Sequence, residues 1–464
     1  MTTPQAIAVA CADPSEVRLK NRWLVAACAV CIHLCIGSVY AYSVMTKPVM
    51  GLLGVTADQV KVSFSIAIFF LGIAAAFLGH FVERYGPRVS GMLSATLWGL
   101  ALVGSGLAVR WESLWLLYLS YGVLGGIGLG VGYITPVSTL VKWFPDKRGM
   151  ATGLAIMGFG FAAMLAGPLM AWMFNAGTSA QPLYTTASVS RTFFLCGAAY
   201  FVVMMLASQY LAPPPKGYVP AGWMPPLTSD GKVRCGDLAQ LTANEALRTR
   251  RFYFMWLMLG INITCGIALI SVASPMMQAM LKMSPLEAGG VVGLIGVFNG
   301  IGRIIWASLS DYLGRPATYI TFFVLQIVAY AALPSIQHVL LFQIVLYLIM
   351  TCYGGGFATV PAFLGDLFGT KQLGAVHGYT LTAWSVAGIV GPSVLVPLVH
   401  IESETGAVIG TDYPKLLYLC SGLFAVALLT SLLMVADIRA KRRAIARAEA
   451  AATPTAPATP GASA

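Results

Sequence analysis

Long apolar stretches separated by short polar breaks run along almost the whole chain. They recur near 22–45, 59–80, 89–109, 113–141, 149–174, 192–212, 252–279, 288–310, 317–336, 338–365, 373–399 and 414–436. Each is roughly 20 residues or longer, enough for a helix to cross a hydrocarbon core about 30 Å thick. The pattern predicts an all-α membrane protein with twelve transmembrane helices. The widest polar break, 213–251, opens PPPKGYVPAGWMPP and falls between the sixth and seventh spans. It divides the chain into an N-tail (1–21), a six-helix bundle (22–212), a linker (213–251), a second six-helix bundle (252–436) and a C-tail (437–464).

Composition agrees: 58% of the 464 residues are hydrophobic and 10% charged, a balance that implies a bilayer as solvent. The N-terminus lacks the basic start, short apolar stretch and small-residue cleavage site of a signal peptide, so the first span is expected to direct insertion. The net charge of +11 is sorted by loop and forms no nucleic-acid-binding face. With the N-terminus assigned to the cytoplasm, 21 of the 28 Lys and Arg fall inside. That asymmetry predicts a multi-pass protein of the cytoplasmic membrane with both termini and the linker cytoplasmic.

The halves resemble each other. GHFVERYGPR (79–88) recurs as ASLSDYLGR (307–315), placing Glu83 opposite Asp311 at an offset of 228. Pro136 aligns with Pro361, Gly149 with Gly374, Gly153 with Gly378, and Gly167-Pro168 with Gly391-Pro392, at offsets of 224 or 225. Such repeats are the signature of two bundles rocking about a site near the midplane. Gly79, Glu83, Arg84, Gly86 and Arg88 resemble the cytoplasmic loop motif of the major facilitator superfamily. Asp311, Gly314 and Arg315 resemble its second copy, with Ala307 in place of the leading glycine, and Gly167-Pro168 is similar to the helix-five motif. Within that superfamily, GSVYAYSV (37–44), GYITPVSTLVKWFPDKRGMATG (132–153), NGIGR (299–303) and YGGGFATVPAF (353–363) resemble the oxalate/formate antiporter family and its monocarboxylate-carrying relatives.

All 17 Asp and Glu lie in tails, loops or span ends, so the buried carboxylate common in proton symporters is missing. Arg303, by contrast, sits deep in the eighth span, eight residues before Asp311. A charge there is costly and calls for a cavity and a partner, yet the sequence offers no buried acid. Two readings fit. The arginine snorkels or caps backbone carbonyls, or a substrate carboxylate is the partner, held by the planar guanidinium through two parallel hydrogen bonds. By resemblance Arg303 matches the substrate-binding arginine of the antiporter family.

The resemblance also assigns Tyr42, Tyr133, Tyr353 and Trp384 to the cavity lining, with Tyr40 competing for the place of Tyr42. Trp384 stands where the oxalate antiporter has its second cation, a lysine, which favours a monocarboxylate. Asn299, one turn before Arg303, is also assigned to substrate binding; it occupies the place where animal monocarboxylate carriers have an aspartate, so proton symport by that route is not expected. His33, near the middle of the first span, is expected to be the only other intramembrane group titrating near neutrality; it carries a proton or packs through a hydrogen bond. Glu83, Arg84, Arg88, Asp311 and Arg315 are candidate cytoplasmic gate residues, with a purely topological role as the alternative.

Other motifs lead elsewhere. Cys28, Cys31 and Cys35 share a helical stripe that suits close packing better than a metal. GVLGGIGLGVG (122–132) follows no strand and reads as helix packing rather than a dinucleotide loop. No GxxxxGK[ST] loop occurs, which excludes a nucleotide-driven pump of that type. The sequence therefore predicts no enzyme, cofactor or metal. It predicts an alternating-access carrier of small monocarboxylates such as formate, lactate or pyruvate, working by exchange or proton coupling. The alternatives are a carrier for another small anion or drug-like solute, and a transport-inactive anion sensor.

Overall fold

The computed structural model describes residues 19–177, 183–215, 217–224, 237–402 and 408–452. Most of the expected N-tail, linker residues 225–236 and the end of the C-tail lie outside the described residues. Among the described residues, eleven helical segments are long and apolar enough to cross a bilayer. One of them, Ala57–Arg110, is two spans: at Gly86 the backbone turns to φ 78° and ψ 171°, a conformation that suits glycine, and Pro87 starts the next helix. Twelve spans result.

They are α1 (Arg22–Leu53), α2 and α3 (57–85 and 87–110), α4 (Leu114–Trp143), α5 (Arg148–Phe174) and α6 (Thr186–Tyr210) in the first bundle. The second holds α7 (Arg250–Leu281), α8 (Pro285–Leu313), α9 (Arg315–Ala332), α10 (Val339–Phe368), α11 (Leu373–Val390) and α12 (Tyr413–Ala452). Helix starts are written locally. Thr56 with Gln59, Thr185 with Ser188, and Ser284 with Glu287 form reciprocal capping boxes at the starts of α2, α6 and α8. Gly314, 228 positions after Gly86, repeats the positive φ at 84° and separates α8 from α9.

Three features were not expected. A short antiparallel hairpin, β1 (His400–Glu402) and β2 (Val408–Thr411), joins α11 to α12, with His400 opposite Thr411. The C-tail is helical through Ala452, continuing α12; its RAKRRAIARAEAAA run is rich in strong helix formers. The linker docks onto the second bundle: the amides of Leu238 and Leu241 donate to the carbonyls of Asp366 and Phe368, and a short helix follows at Ala243–Leu247. The end of the molecule that carries this linker is called the linker end below.

The bundles meet along two pairs of helices, α5 with α8 and α2 with α11. Small residues let the backbones approach closely. A methyl group at Gly153 would stand 2.7 Å from the Arg303 carbonyl oxygen, and one at Gly378 1.9 Å from that of Ala75. Gly153 and Gly378 are repeat partners, so the two crossings are copies of one another.

Candidate functional site

Arg303 lies ten residues before the end of α8, roughly 15 Å from the linker end at 1.5 Å per residue. It is 1% exposed. It does not snorkel. Its Nη1 donates to the Ile156 carbonyl of α5, across the bundle interface, at 2.9 Å, and Nε donates to Asn299 Oδ1, one turn back, at 3.3 Å. Nη2 has no partner. The guanidinium carbon stands 5.4 Å from the Phe357 ring centroid and 6.0 Å from that of Phe159, which holds the charge by cation–π attraction.

An aromatic cage surrounds it. Trp384 of α11 packs 4.8 Å from Phe357, 5.5 Å from Tyr133 and 5.8 Å from Phe159, centroid to centroid. Tyr353 packs edge-on against Phe357 at 5.5 Å, and it fits because Gly266 of α7 has no side chain: a methyl there would fall 2.1 Å from the ring. The hydroxyls of Tyr40 and Tyr133 are buried and unpartnered, like Arg303 Nη2. Tyr40 faces Arg303 and Tyr353 without meeting hydrogen-bond geometry to either.

Of the residues predicted to bind substrate, the structure brings together Arg303, Asn299, Tyr133, Tyr353 and Trp384. It does not bring Tyr42. That hydroxyl binds the Val60 carbonyl and the Ser63 hydroxyl of α2, and its ring packs on Tyr121 and Phe64. A 3-10 turn at Ser38–Ala41 within α1 sets the phase, so Tyr40 takes the cage position and Tyr42 the packing position. Phe159 and Phe357 are cage members that the sequence reading missed. Phe357, four after Tyr353, lay within a quoted motif, which was the available signal; Phe159, six after Gly153, carried none.

His33 is also not alone. It is 0% exposed, with Nε2 3.3 Å from the Tyr133 carbonyl and no partner on Nδ1. His377 of α11 is equally buried, also with an unpartnered Nδ1, and its ring lies 5.9 Å from that of Tyr133 on the side of the second bundle. The reading that made His33 the only such group beside Arg303 overlooked His377, which sits within the apolar 373–399 run beside the landmark Gly378.

The linker end is tied across the bundles. Asp311 accepts from the amides of Gly149 and Met150, in the first turn of α5, at 2.8 Å each. Glu83 accepts from the amide of Gly374, in the first turn of α11, at 2.7 Å, and pairs with Lys142 at 2.8 Å. The acid of each half thus rests on the positive end of the other half's helix, at the landmarks that the repeat aligns. Arg315 bonds Asp311 and Asp366, while Arg148 of the first bundle reaches Asp237 of the linker and Asp366 of α10. Arg148, Asp237 and Asp366 were not foreseen.

Two candidate gate residues stand elsewhere. Arg84 is exposed and lies over the Tyr85 ring, and Arg88 donates to the Gln209 carbonyl of its own bundle. Among the described contacts, neither reaches the second bundle. Cys28, Cys31 and Cys35 are free thiols along α1.

Residues 26–392 match the sequence model of the Major Facilitator Superfamily. The chain belongs to the major facilitator superfamily. This superfamily member is a membrane transporter, not an enzyme. It is 27% identical over 379 residues to the oxalate:formate antiporter of Oxalobacter formigenes, covering 80% of this chain and 84% of the relative. To the apicoplast pyruvate carrier 1 of Toxoplasma gondii it is 23% identical, covering 75% and 70% of the two chains. The fold matches that of the Escherichia coli fucose:proton symporter FucP, with a TM-score of 0.65 at 12% identity over 89% of this chain and 99% of that one.

Proposed function

We propose that this transporter carries small monocarboxylates, with Arg303 as the anion site. One observation carries the reading. A buried guanidinium keeps an unsatisfied N–H donor, Nη2, with two unsatisfied tyrosine hydroxyls in the same cage, and among the described residues no Asp or Glu pairs with it. A buried charge without a counter-ion is costly, and a carboxylate supplies both the charge and the acceptor oxygens. Nη2 and the hydroxyls of Tyr40 and Tyr133 are the donors offered to it. Asn299 and the Ile156 carbonyl hold the other guanidinium nitrogens and so orient the fork. Phe159, Tyr353, Phe357 and Trp384 wall the site with flat apolar faces that suit a short, planar acid and give no second cation for a longer diacid. The names of the oxalate:formate and pyruvate-carrying relatives point to the same substrate class.

Glu83, Asp311 and Arg315, joined by Arg148 and Asp366, form the linker-end gate of an alternating-access cycle. The distribution of Lys and Arg puts that end in the cytoplasm, with the chain in the cytoplasmic membrane. The anion then reaches Arg303 from the opposite side while these bonds hold.

Counterflow in proteoliposomes tests the reading. Vesicles loaded with unlabelled formate, lactate or pyruvate are expected to take up the labelled acid, with oxalate a poor competitor. Absence of exchange for every monocarboxylate would overturn it.

A further inference from the structure

Two imidazoles, His33 and His377, are buried at the depth of the anion site and take no part in holding the anion. Chemistry distinguishes them. The partner of His33 Nε2 is a carbonyl oxygen, that of Tyr133, which accepts only. The bond therefore fixes the proton of neutral His33 on Nε2 and leaves Nδ1 as a bare lone pair with no donor facing it. His377 has no such anchoring bond on its other nitrogen among the described contacts.

The ring of Tyr133, on α4, lies 5.3 Å from the His33 imidazole, and that of Phe159, on α5, 6.4 Å from it. On α6, Tyr200 lies by Ser38 and Cys35 rather than by His33. On α1 itself Cys31 and Cys35 stand two residues away on either side, and from the second bundle the Arg303 guanidinium carbon lies 6.0 Å from the same Phe159 ring and the His377 ring 5.9 Å from the same Tyr133 ring. Hence the permanent charge felt by His33 is that of Arg303, a cation. While the guanidinium is uncompensated, a second positive charge on His33 is repelled. A carboxylate on Arg303 cancels that repulsion. Anion and proton then favour each other's binding, and linkage makes the coupling reciprocal.

We propose that His33 is the proton-carrying group of this transporter, its Nδ1 taking one proton from the aqueous phase as a carboxylate settles on Arg303. This rests on the anion-site reading and adds a coupling ion to it. The loaded site then holds guanidinium, imidazolium and carboxylate, one positive charge as in the empty state, so the step moves anion and proton together without net charge. In place of a mid-span carboxylate, the proton is carried by a histidine on the opposite bundle from the anion-binding arginine.

The test uses the full chain in proteoliposomes with labelled formate, lactate and pyruvate. The wild type is expected to accumulate substrate about tenfold for each unit of inwardly directed pH gradient, the limit for one proton per anion. His33→Gln keeps an N–H for the Tyr133 carbonyl and has no basic nitrogen. It should still exchange in counterflow at saturating substrate, with a raised half-saturation concentration because the anion no longer gains from the proton, and lose accumulation. A variant that accumulates like the wild type overturns the proposal, as does a wild type that exchanges but ignores the gradient. A wild type that exchanges none of these acids overturns the anion reading, a distinguishable failure that takes this one with it. Should His33→Gln lose counterflow as well, pH-indicator measurements on solubilised protein decide. Wild type and His377→Gln are expected to take up about one proton per anion bound; no uptake by the wild type, or its loss in His377→Gln, overturns the assignment to His33.

Discussion

Arg303 of the second bundle donates from Nη1 to the carbonyl of Ile156 in the first, at 2.9 Å. The charge that reads in the sequence as stranded is thus fixed from both sides of the bundle interface, by Asn299 on its own helix and by Ile156 across it. Only Nη2 is left for an anion.

Arg303→Gln is expected to bring carboxylate uptake to background while the protein still inserts and runs as a single peak on size exclusion. Arg303→Lys keeps the charge but loses the planar fork. Charge-assisted hydrogen bonds are worth about 1.5–3 kcal/mol each, so the lysine variant should bind roughly 10-fold to 100-fold more weakly. Labelled-substrate binding to the purified variants checks both.

Tyr40 and Tyr42 should separate cleanly. Removing the Tyr40 hydroxyl takes a donor from the cage, and a neutral hydrogen bond of about 0.5–1.5 kcal/mol corresponds to a KM raised roughly 2-fold to 10-fold for Tyr40→Phe. Tyr42→Phe frees only the Val60 carbonyl and the Ser63 hydroxyl, so KM should hold while the melting temperature falls. Equal kinetic effects of the two would place Tyr42 in the site instead.

Trp384→Lys introduces a second cation opposite Arg303. The expected outcome is a shift of preference from monocarboxylates toward oxalate or other short diacids in a competition panel, because the new ammonium pairs with the second carboxylate. An unchanged panel would count against the placement of Trp384 at the site.

Asp311→Ala removes two carboxylate-to-helix bonds at the linker end and Glu83→Ala removes one, each again about 1.5–3 kcal/mol. The population opened at that end should rise about tenfold or more. In a cysteine-free background, Ser138→Cys reports it, since Ser138 lies against Gly374 behind the Glu83 contact: thiol labelling from the linker side should speed up in both variants.

Much of this was legible in the chain. Apolar runs and loop charges give the spans, the repeat gives the two bundles, and counting acids against Arg303 isolates the anion-site candidate. The rest needed three dimensions for identifiable reasons. Tyr40 and Tyr42 exchange roles through a single 3-10 turn, which a helical wheel cannot phase. Arg148 and Asp366 are 218 positions apart, and each looks like an ordinary span-end charge until the bundles meet. His377 hid in an apolar run, and the linker contacts of Leu238 and Leu241 are made by backbone groups, which carry no residue signature. The helical continuation of α12 is written in Ala and Arg propensity, overshadowed by the fall in hydrophobicity at 437.

The reciprocal latches at Gly149 and Gly374 have a genetic consequence. In each, one partner is a carboxylate that mutation can delete and the other is a main-chain amide that almost every codon change preserves. A random screen for a loosened latch should therefore return many different alleles at 83 and 311. Alleles at 149 and 374 would act by bulk alone, because a methyl at 149 would meet the Ala307 carbonyl oxygen at 2.0 Å and one at 374 would meet the Glu83 carboxylate at 2.9 Å.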